Sequence, residues 1–211
     1  MAHSLQSHKL LWRNKKFIKS LVVGLIFLII GISATFFAII YATESSSSPV
    51  TDIILSNIRT FDVDAIFVYG PVLFWGLIIA YLILFELEKI PFTLKSIALF
   101  LVIRSSFISM THIGPFPSQI HIGSSGIFSV FTTGNDLFFS SHTGMPFLIA
   151  LIFWDNKPMR LFSIFASIFF GIIVLMGHLH YSIDVFAAFF ITYTIFHIAK
   201  KIFKKDWVLF F

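Results

Sequence analysis

The chain has 211 residues, of which 57% are hydrophobic, 12% are charged and 29 are phenylalanine. A soluble domain carries about 25% charged residues, so this composition excludes an ordinary water-soluble globule. It contains no cysteine, which rules out disulfides and thiolate metal sites and fits a bacterial source. A net charge of +5 raises the question of nucleic acid, which the placement of that charge answers below.

In chain order, six apolar stretches predict membrane helices: Ile18–Tyr41, Ala65–Phe85, Pro91–Met110, Leu137–Trp154, Leu161–Gly177 and Ser182–Ala199. Each is close to the length that crosses ~30 Å of hydrocarbon at 1.5 Å per residue. Backbone groups in lipid must bond within the segment, so the expected fold is all-α with six transmembrane helices. The first stretch follows basic residues, as a signal peptide would. Its apolar run exceeds the 7–15 residues of a signal core, and it reads as an uncleaved helix.

Between the first two helices, Thr43–Pro49 is a polar turn, and Ile53–Ile58 is apolar enough to lie at the interface as an amphipathic piece. The longest loop, Thr111–Asp136, contains G-P-F-P at Gly114–Pro117 and G-S-S-G at Gly123–Gly126. It is either a lid over the site or a plain connector. Trp154–Arg160 is a short connection with an aromatic anchor. The sequence shows no internal repeat and no domain boundary. Residues 1–211 read as one membrane-embedded unit whose motif-bearing core is about 91–200, flanked by basic segments at 1–17 and 200–211.

If six helices alternate, thirteen of the fifteen basic residues fall on one side, including Lys9, Arg13, Lys15, Lys16, Lys19, Lys89, Lys95, Lys157, Arg160 and the four lysines of the tail. Only Arg59 and Arg104 fall on the other. By the positive-inside rule both termini are expected in the cytoplasm. The positive charge is thus a topology signal, and no nucleic-acid partner is expected.

The same alternation places His142, His180 and the end of the third helix at the opposite, non-cytoplasmic face. His142 opens the fourth helix in S-S-H-T-G, where Ser140 or Ser141 can cap and where free N–H groups can bind an anion. His180 and Asp184 stand four apart in H-Y-S-I-D, a spacing that shares a face on a helix. A carboxylate there can fix the imidazole tautomer and leave the other ring nitrogen free to attack. Arg104 suits a phosphate clamp, because guanidinium forks match phosphate oxygens. Asp136 can be a cap, a topology charge or a contact for a cationic headgroup. Ser141 and Tyr181, beside the two histidines, complete the expected substrate-binding set with Arg104 and Asp136. His178 and His180 are two apart and no H-E-x-x-H is present, so no metal is expected. Together these residues describe phosphoryl transfer by covalent catalysis.

At these residues the chain resembles the type 2 phosphatidic acid phosphatase (PAP2) superfamily, and within it the sphingomyelin synthase-like branch. The resemblance lies in Gly134–Thr143, G-N-D-L-F-F-S-S-H-T, in His180–Val185, H-Y-S-I-D-V, in Phe186–Thr194, and in the R-x6-T stretch from Arg104 to Thr111 followed by P-F-P. It covers about half the chain, and more weakly the whole six-helix layout. Two departures stand out. Ser141 replaces the glycine before the middle histidine, and the phosphatase branch's K-x6-R-P is absent, since Lys95 and Arg104 are nine apart and no proline follows.

The resemblance implies a PAP2-like helical bundle without cofactor or metal. His180 would be the nucleophile forming a phosphohistidine, Asp184 its orienting group, and His142 the acid and then base. It implies transfer of phosphocholine or phosphoethanolamine from a glycerophospholipid to a lipid hydroxyl such as ceramide or a diacylglycerol-like acceptor, at the periplasmic, exoplasmic or lumenal face. The expected setting is a multi-pass membrane protein, with the bacterial inner membrane favoured. A lipid phosphatase or phospholipase C, with water as acceptor, shares every catalytic residue. A lipid or anion transporter would need the arginine and the helix-start amides but not a histidine–aspartate pair. The oligomeric state is not legible.

Overall fold

The computed structural model describes residues 11–123 and 136–210. Lys9, Gly134, Asn135 and the part of Gly123–Gly126 beyond Gly123 lie outside the described residues. The fold is that of a polytopic all-helical membrane protein. Its elements are α1 (Lys15–Glu44), α2 (Asp64–Phe85), a 3-10 turn (Leu87–Lys89), α3 (Ile90–Met110), α4 (Ser141–Ile152), α5 (Lys157–Met176), α6 (Ser182–Ile202) and α7 (Lys204–Phe210). The first six alternate in direction. One end of the bundle gathers the end of α1, the start of α2, the end of α3, the starts of α4 and α6, and the end of α5. The other end holds the start of α1, the end of α6 and α7.

Local chemistry sets several boundaries. Asn14 caps α1 by accepting from the Lys16 N–H at 3.0 Å, and Asn156 caps α5 by accepting from the Met159 N–H at 3.2 Å with Pro158 in the first turn. The Asn156 amide also donates to the Tyr81 hydroxyl at 2.7 Å, tying α5 to α2.

α1 packs along α3 through small residues. Gly24, Gly31, Thr35, Ala38 and Ala42 are buried, and a Cβ on Gly31 would lie 3.1 Å from the Ala98 carbonyl oxygen. Small side chains let two backbones approach closely in a setting where lipid is as apolar as leucine. The Thr35 and Ser105 hydroxyls meet in this seam at 3.1 Å, each also satisfied by a carbonyl one turn back in its own helix. On α2 the buried residues are Phe67, Phe74, Ile78 and Leu82, a single stripe. Its other faces expose Tyr69, Leu73, Leu84 and Phe85, an apolar surface suited to lipid.

Among the described residues five helices are long and apolar enough to cross a membrane, but α4 is not one of them. The expected fourth span, Leu137–Trp154, is helical only over the twelve residues Ser141–Ile152, about 18 Å long. The reason is visible at its start. The Phe139 carbonyl accepts from the Arg104 Nε–H at 2.7 Å, so the entry segment is held as non-helical backbone. Such backbone is tolerated at membrane depth when protein covers it and satisfies its polar groups. α4 is the inner helix, with Leu148, Ile149 and Ala150 fully buried and neighbours on α3, α5 and α6. The expected interfacial piece Ile53–Ile58 is short and irregular. It is a run of turns in which Leu55 is buried while Ile53 is 82% exposed.

Lys95, counted above among the basic residues that set topology, lies within α3 and is buried. Its ammonium donates to Asp206 Oδ2 at 2.5 Å and to Ser20 Oγ at 2.7 Å. A buried cation needs such partners, and here they come from the two ends of the chain.

Candidate active site

Two backbone and side-chain ties bring the starts of α4 and α6 together. The Ser140 N–H donates to the Asp184 carbonyl at 3.1 Å. From the other side, Ser167 Oγ on α5 donates to the Thr143 carbonyl at 2.6 Å. Gly144 permits this approach, since a Cβ there would stand 2.8 Å from both the Phe100 ring and Thr192 Oγ1.

The histidine–aspartate contact has a different origin from a shared helix face. α6 begins at Ser182, so His180 precedes it, and the turn rather than helical periodicity brings the side chains together. Asp184 Oδ2 accepts the Tyr181 N–H at 2.9 Å and faces His180 Nδ1 at 3.4 Å. The capping role and the orienting role of Asp184 therefore coexist on one oxygen. Asp184 is 1% and His180 5% exposed. With Nδ1–H directed at the carboxylate, Nε2 is the nitrogen free to act as nucleophile or base.

His142 lies in the first turn of α4. Its ring stacks on Phe67 of α2 at 4.2 Å between centroids, and its Nε2 lies 3.3 Å from the Phe67 carbonyl oxygen. A carbonyl only accepts, so this bond requires the hydrogen on Nε2 and leaves Nδ1 for proton exchange. Ser140 occupies the cap position of α4, but its side chain does not cap the helix amides; its oxygen accepts from Thr143 Oγ1 at 3.4 Å instead. That leaves first-turn N–H groups for an anion, as at other helix starts.

Arg104 is 2% exposed and already heavily engaged. Besides Phe139, it holds Asp136 through Nη2, at 2.6 Å to the carbonyl and 2.8 Å to the carboxylate. It therefore clamps the segment leading into α4 onto α3. Asp136 is its ion-pair partner rather than the cap of α4.

A cavity of about 230 Å³ collects Arg104, Asp136, Ser141, His142 and His180, with Thr35, Leu101 and Met145 among its other walls. Asp184 stands behind His180. Tyr181 does not line it. The Tyr181 hydroxyl donates to the Gly114 carbonyl at 2.8 Å and accepts from the Val50 N–H at 3.2 Å, which fastens two loops to the start of α6. Gly114 is required there, because a Cβ would lie 2.1 Å from the Ser47 carbonyl oxygen. A second cavity of about 140 Å³ opens between α2, α4 and α5, and it shares Ser141, His142 and Met145 with the first. His142 thus stands between two hollows.

Two contributors were not singled out from sequence. Asp52 accepts four hydrogen bonds, from the Ile54 and Leu55 N–H groups on Oδ1 and from the Ser182 N–H and hydroxyl on Oδ2 at 2.7 and 2.8 Å. Burial pushes its carboxyl upward, but the bonds from Leu55, Ser182 and Ile54 outweigh this and hold it below the usual carboxylate range. It braces the first turn of α6 from the loop between α1 and α2. Phe67 is the platform for His142. An aspartate followed by an apolar pair can be read as a local turn, but no spacing announces that it reaches a helix 130 residues away. His178, by contrast, turns from His180: its Nδ1 lies 2.7 Å from Ser118 Oγ. Among the described residues no three histidine or acidic side chains converge as a metal site would require.

The fold and this site together define a multi-pass membrane protein with a buried histidine–aspartate pair and a second histidine at one end of its bundle. The family described as PAP2 superfamily C-terminal matches residues 133–201, the stretch holding both histidines and Asp184. Over this stretch the chain is similar to the PAP2 superfamily. No curated protein and no solved structure matches the chain.

Proposed function

We propose that the protein is a phospholipid headgroup transferase, moving phosphocholine or phosphoethanolamine from a glycerophospholipid to a lipid hydroxyl such as ceramide. The observation that carries this reading is one cavity lined by His180, His142 and Arg104, with Asp184 directly behind His180. In the first step His180 Nε2 attacks the donor phosphorus and the bond from phosphorus to the glycerol oxygen breaks. His142, entering the step as the imidazolium, gives its Nδ1 proton to that leaving oxygen, releasing diacylglycerol. In the second step the acceptor hydroxyl loses its proton to His142 and attacks phosphorus, and the P–N bond breaks to restore His180. Asp184 holds the Nδ1 proton throughout and balances the charge on the ring. First-turn amides of α4, within reach of the same cavity, favour the phosphate oxygens. Arg104 and Asp136 border the headgroup, Arg104 chiefly by holding the entry to α4, while Ser141 supplies the first of those amides. Tyr181 acts on the substrate through the loops it ties down.

Two features favour a lipid acceptor over water. The cavity is below the ~300–1,000 Å³ of pockets that enclose a whole ligand, so acyl chains must lie outside it among the helices. The second hollow across His142 offers a separate approach for a second lipid. The basic residues at the end of the bundle that carries α7 support cytoplasmic termini and a site facing the periplasm, exoplasm or lumen.

The test is lipid turnover by the purified protein in detergent, using fluorescent ceramide with phosphatidylcholine or phosphatidylethanolamine, thin-layer separation, and His180→Ala as control. A new sphingophospholipid that the variant does not make is the expected result, and it names the headgroup. Diacylglycerol with free phosphocholine or phosphoethanolamine would instead make water the acceptor and the protein a hydrolase.

A further inference from the structure

The end of the bundle remote from the histidines carries a second feature. α6 runs from the active site at Ser182 to Ile202, about 30 Å away along its axis. There, an open groove of about 1000 Å³ lies between the first turns of α1 and the α6–α7 corner. Lys16 and Lys19 border it from α1, and Lys204 and Lys205 from α7. Among the described residues lining the groove the only carboxylate, Asp206, is already taken by Lys95 and by the Ser20 hydroxyl at 2.5 Å from each. Lys16, Lys19, Lys204 and Lys205 form no salt bridge among the described residues. Four like charges facing one hollow repel unless an anion joins them.

The rest of the groove is apolar, with Val23, Ile202 and Val208 among its walls. We propose that this groove binds an anionic glycerophospholipid of the surrounding leaflet, its phosphate among the four lysines and its chains against these aliphatic residues. Lysines that only set topology would need neither a common hollow nor an apolar floor. A soluble phosphate would satisfy the charges but leave Val23, Ile202 and Val208 facing water. Clustered lysines at a membrane surface are the usual partners of anionic lipid. This site is independent of the catalytic reading, being at the opposite end of α6.

Native mass spectrometry of the full chain in detergent tests it, with short-chain phosphatidylglycerol, short-chain phosphatidylcholine and inorganic phosphate as probes. Two variants remove equal charge. One changes Lys16, Lys19, Lys204 and Lys205 to Gln; the other changes Lys15, Lys157, Lys200 and Lys201 to Gln. Lipid held at the catalytic site is common to both, so their difference reports the groove. The expected result is a retained phosphatidylglycerol adduct in the wild type and second variant, weakened on the order of a hundredfold in the first. Val23→Trp keeps every lysine, fills the apolar side and should also weaken the adduct, which covers the case where the first variant does not fold. Equal phosphatidylglycerol binding by both charge variants would overturn the proposal. So would phosphatidylcholine binding as tightly, or inorganic phosphate displacing the lipid at equal concentration.

Discussion

Asp184 serves two donors with a single oxygen, the Tyr181 N–H and the His180 ring. An amide oxygen can still accept the first of these, but it carries no charge to set against a developing imidazolium. Asp184→Asn is therefore expected to lower the turnover rate by about 10²–10⁴ while lipid binding and thermal stability change little. Initial rates compared with lipid retention by the same preparation measure this. A rate within a few-fold of wild type would reduce Asp184 to a helix cap. The identities of His142, His180 and Asp184 as candidates were legible because ionisable groups at membrane depth are rare and costly. Asp52, Phe67 and the binding of Arg104 to Phe139 were not. Each depends on a partner more than thirty residues distant, and no periodicity encodes it.

At the scale of elements, α4 depends on close approach. Gly144 admits the Phe100 ring and Thr192 where any side chain would collide. Gly144→Ala should cost about 1–3 kcal/mol through overpacking and reduce activity, since α4 carries His142. Gly76 on α2 has open space around it, and Gly76→Ala serves as the control that should leave both unchanged or slightly raise stability. Thermal unfolding in detergent separates the two. The α5–α6 turn makes a second element-level case. His178 takes a positive φ of 55° and is buried against Ser118 and Thr60, which pins the described part of the loop after α3. Burial holds its ring below the usual histidine range, against the upward pull of Asp52 and the Ile58 backbone. A depressed histidine pKa means the unfolded turn binds the proton first. The latch therefore keeps its full strength above the ordinary histidine pKa of about 6.5 and weakens as pH falls below it. Protection of residues 111–123 from hydrogen exchange, taken relative to the intrinsic rate at each pH, should fall in that window, and His178→Gln should flatten the dependence.

For the molecule as a whole, the alternation of six helices puts residues 45–63 and 111–123 at one end and α7 at the other. The chain lacks cysteine, so single cysteines report sidedness cleanly. In right-side-out vesicles an impermeant thiol reagent should label Ser56→Cys and leave Lys157→Cys and Lys205→Cys untouched until the membrane is opened. Labelling of Lys205→Cys from outside would reverse the proposed orientation and move the site to the cytoplasmic face.

Membrane residence and the all-helical fold were legible in the sequence alone, because lipid demands long apolar runs with internally bonded backbone and leaves most charge near their ends. Histidines at two helix starts could be read for the same reason. What tertiary structure decided was how those starts meet. The shortness of α4 follows from Arg104 holding the Phe139 carbonyl outside the helix. The union of His142 with His180 follows from the Ser140–Asp184 backbone bond, and the brace on α6 follows from Asp52. Lys95, counted by charge alone as one of a topology set, became half of a buried ion pair once α7 folded back against α1 and α3. Periodicity records which residues face inward along one helix. It holds no information about which polar group on another helix will be there to meet them.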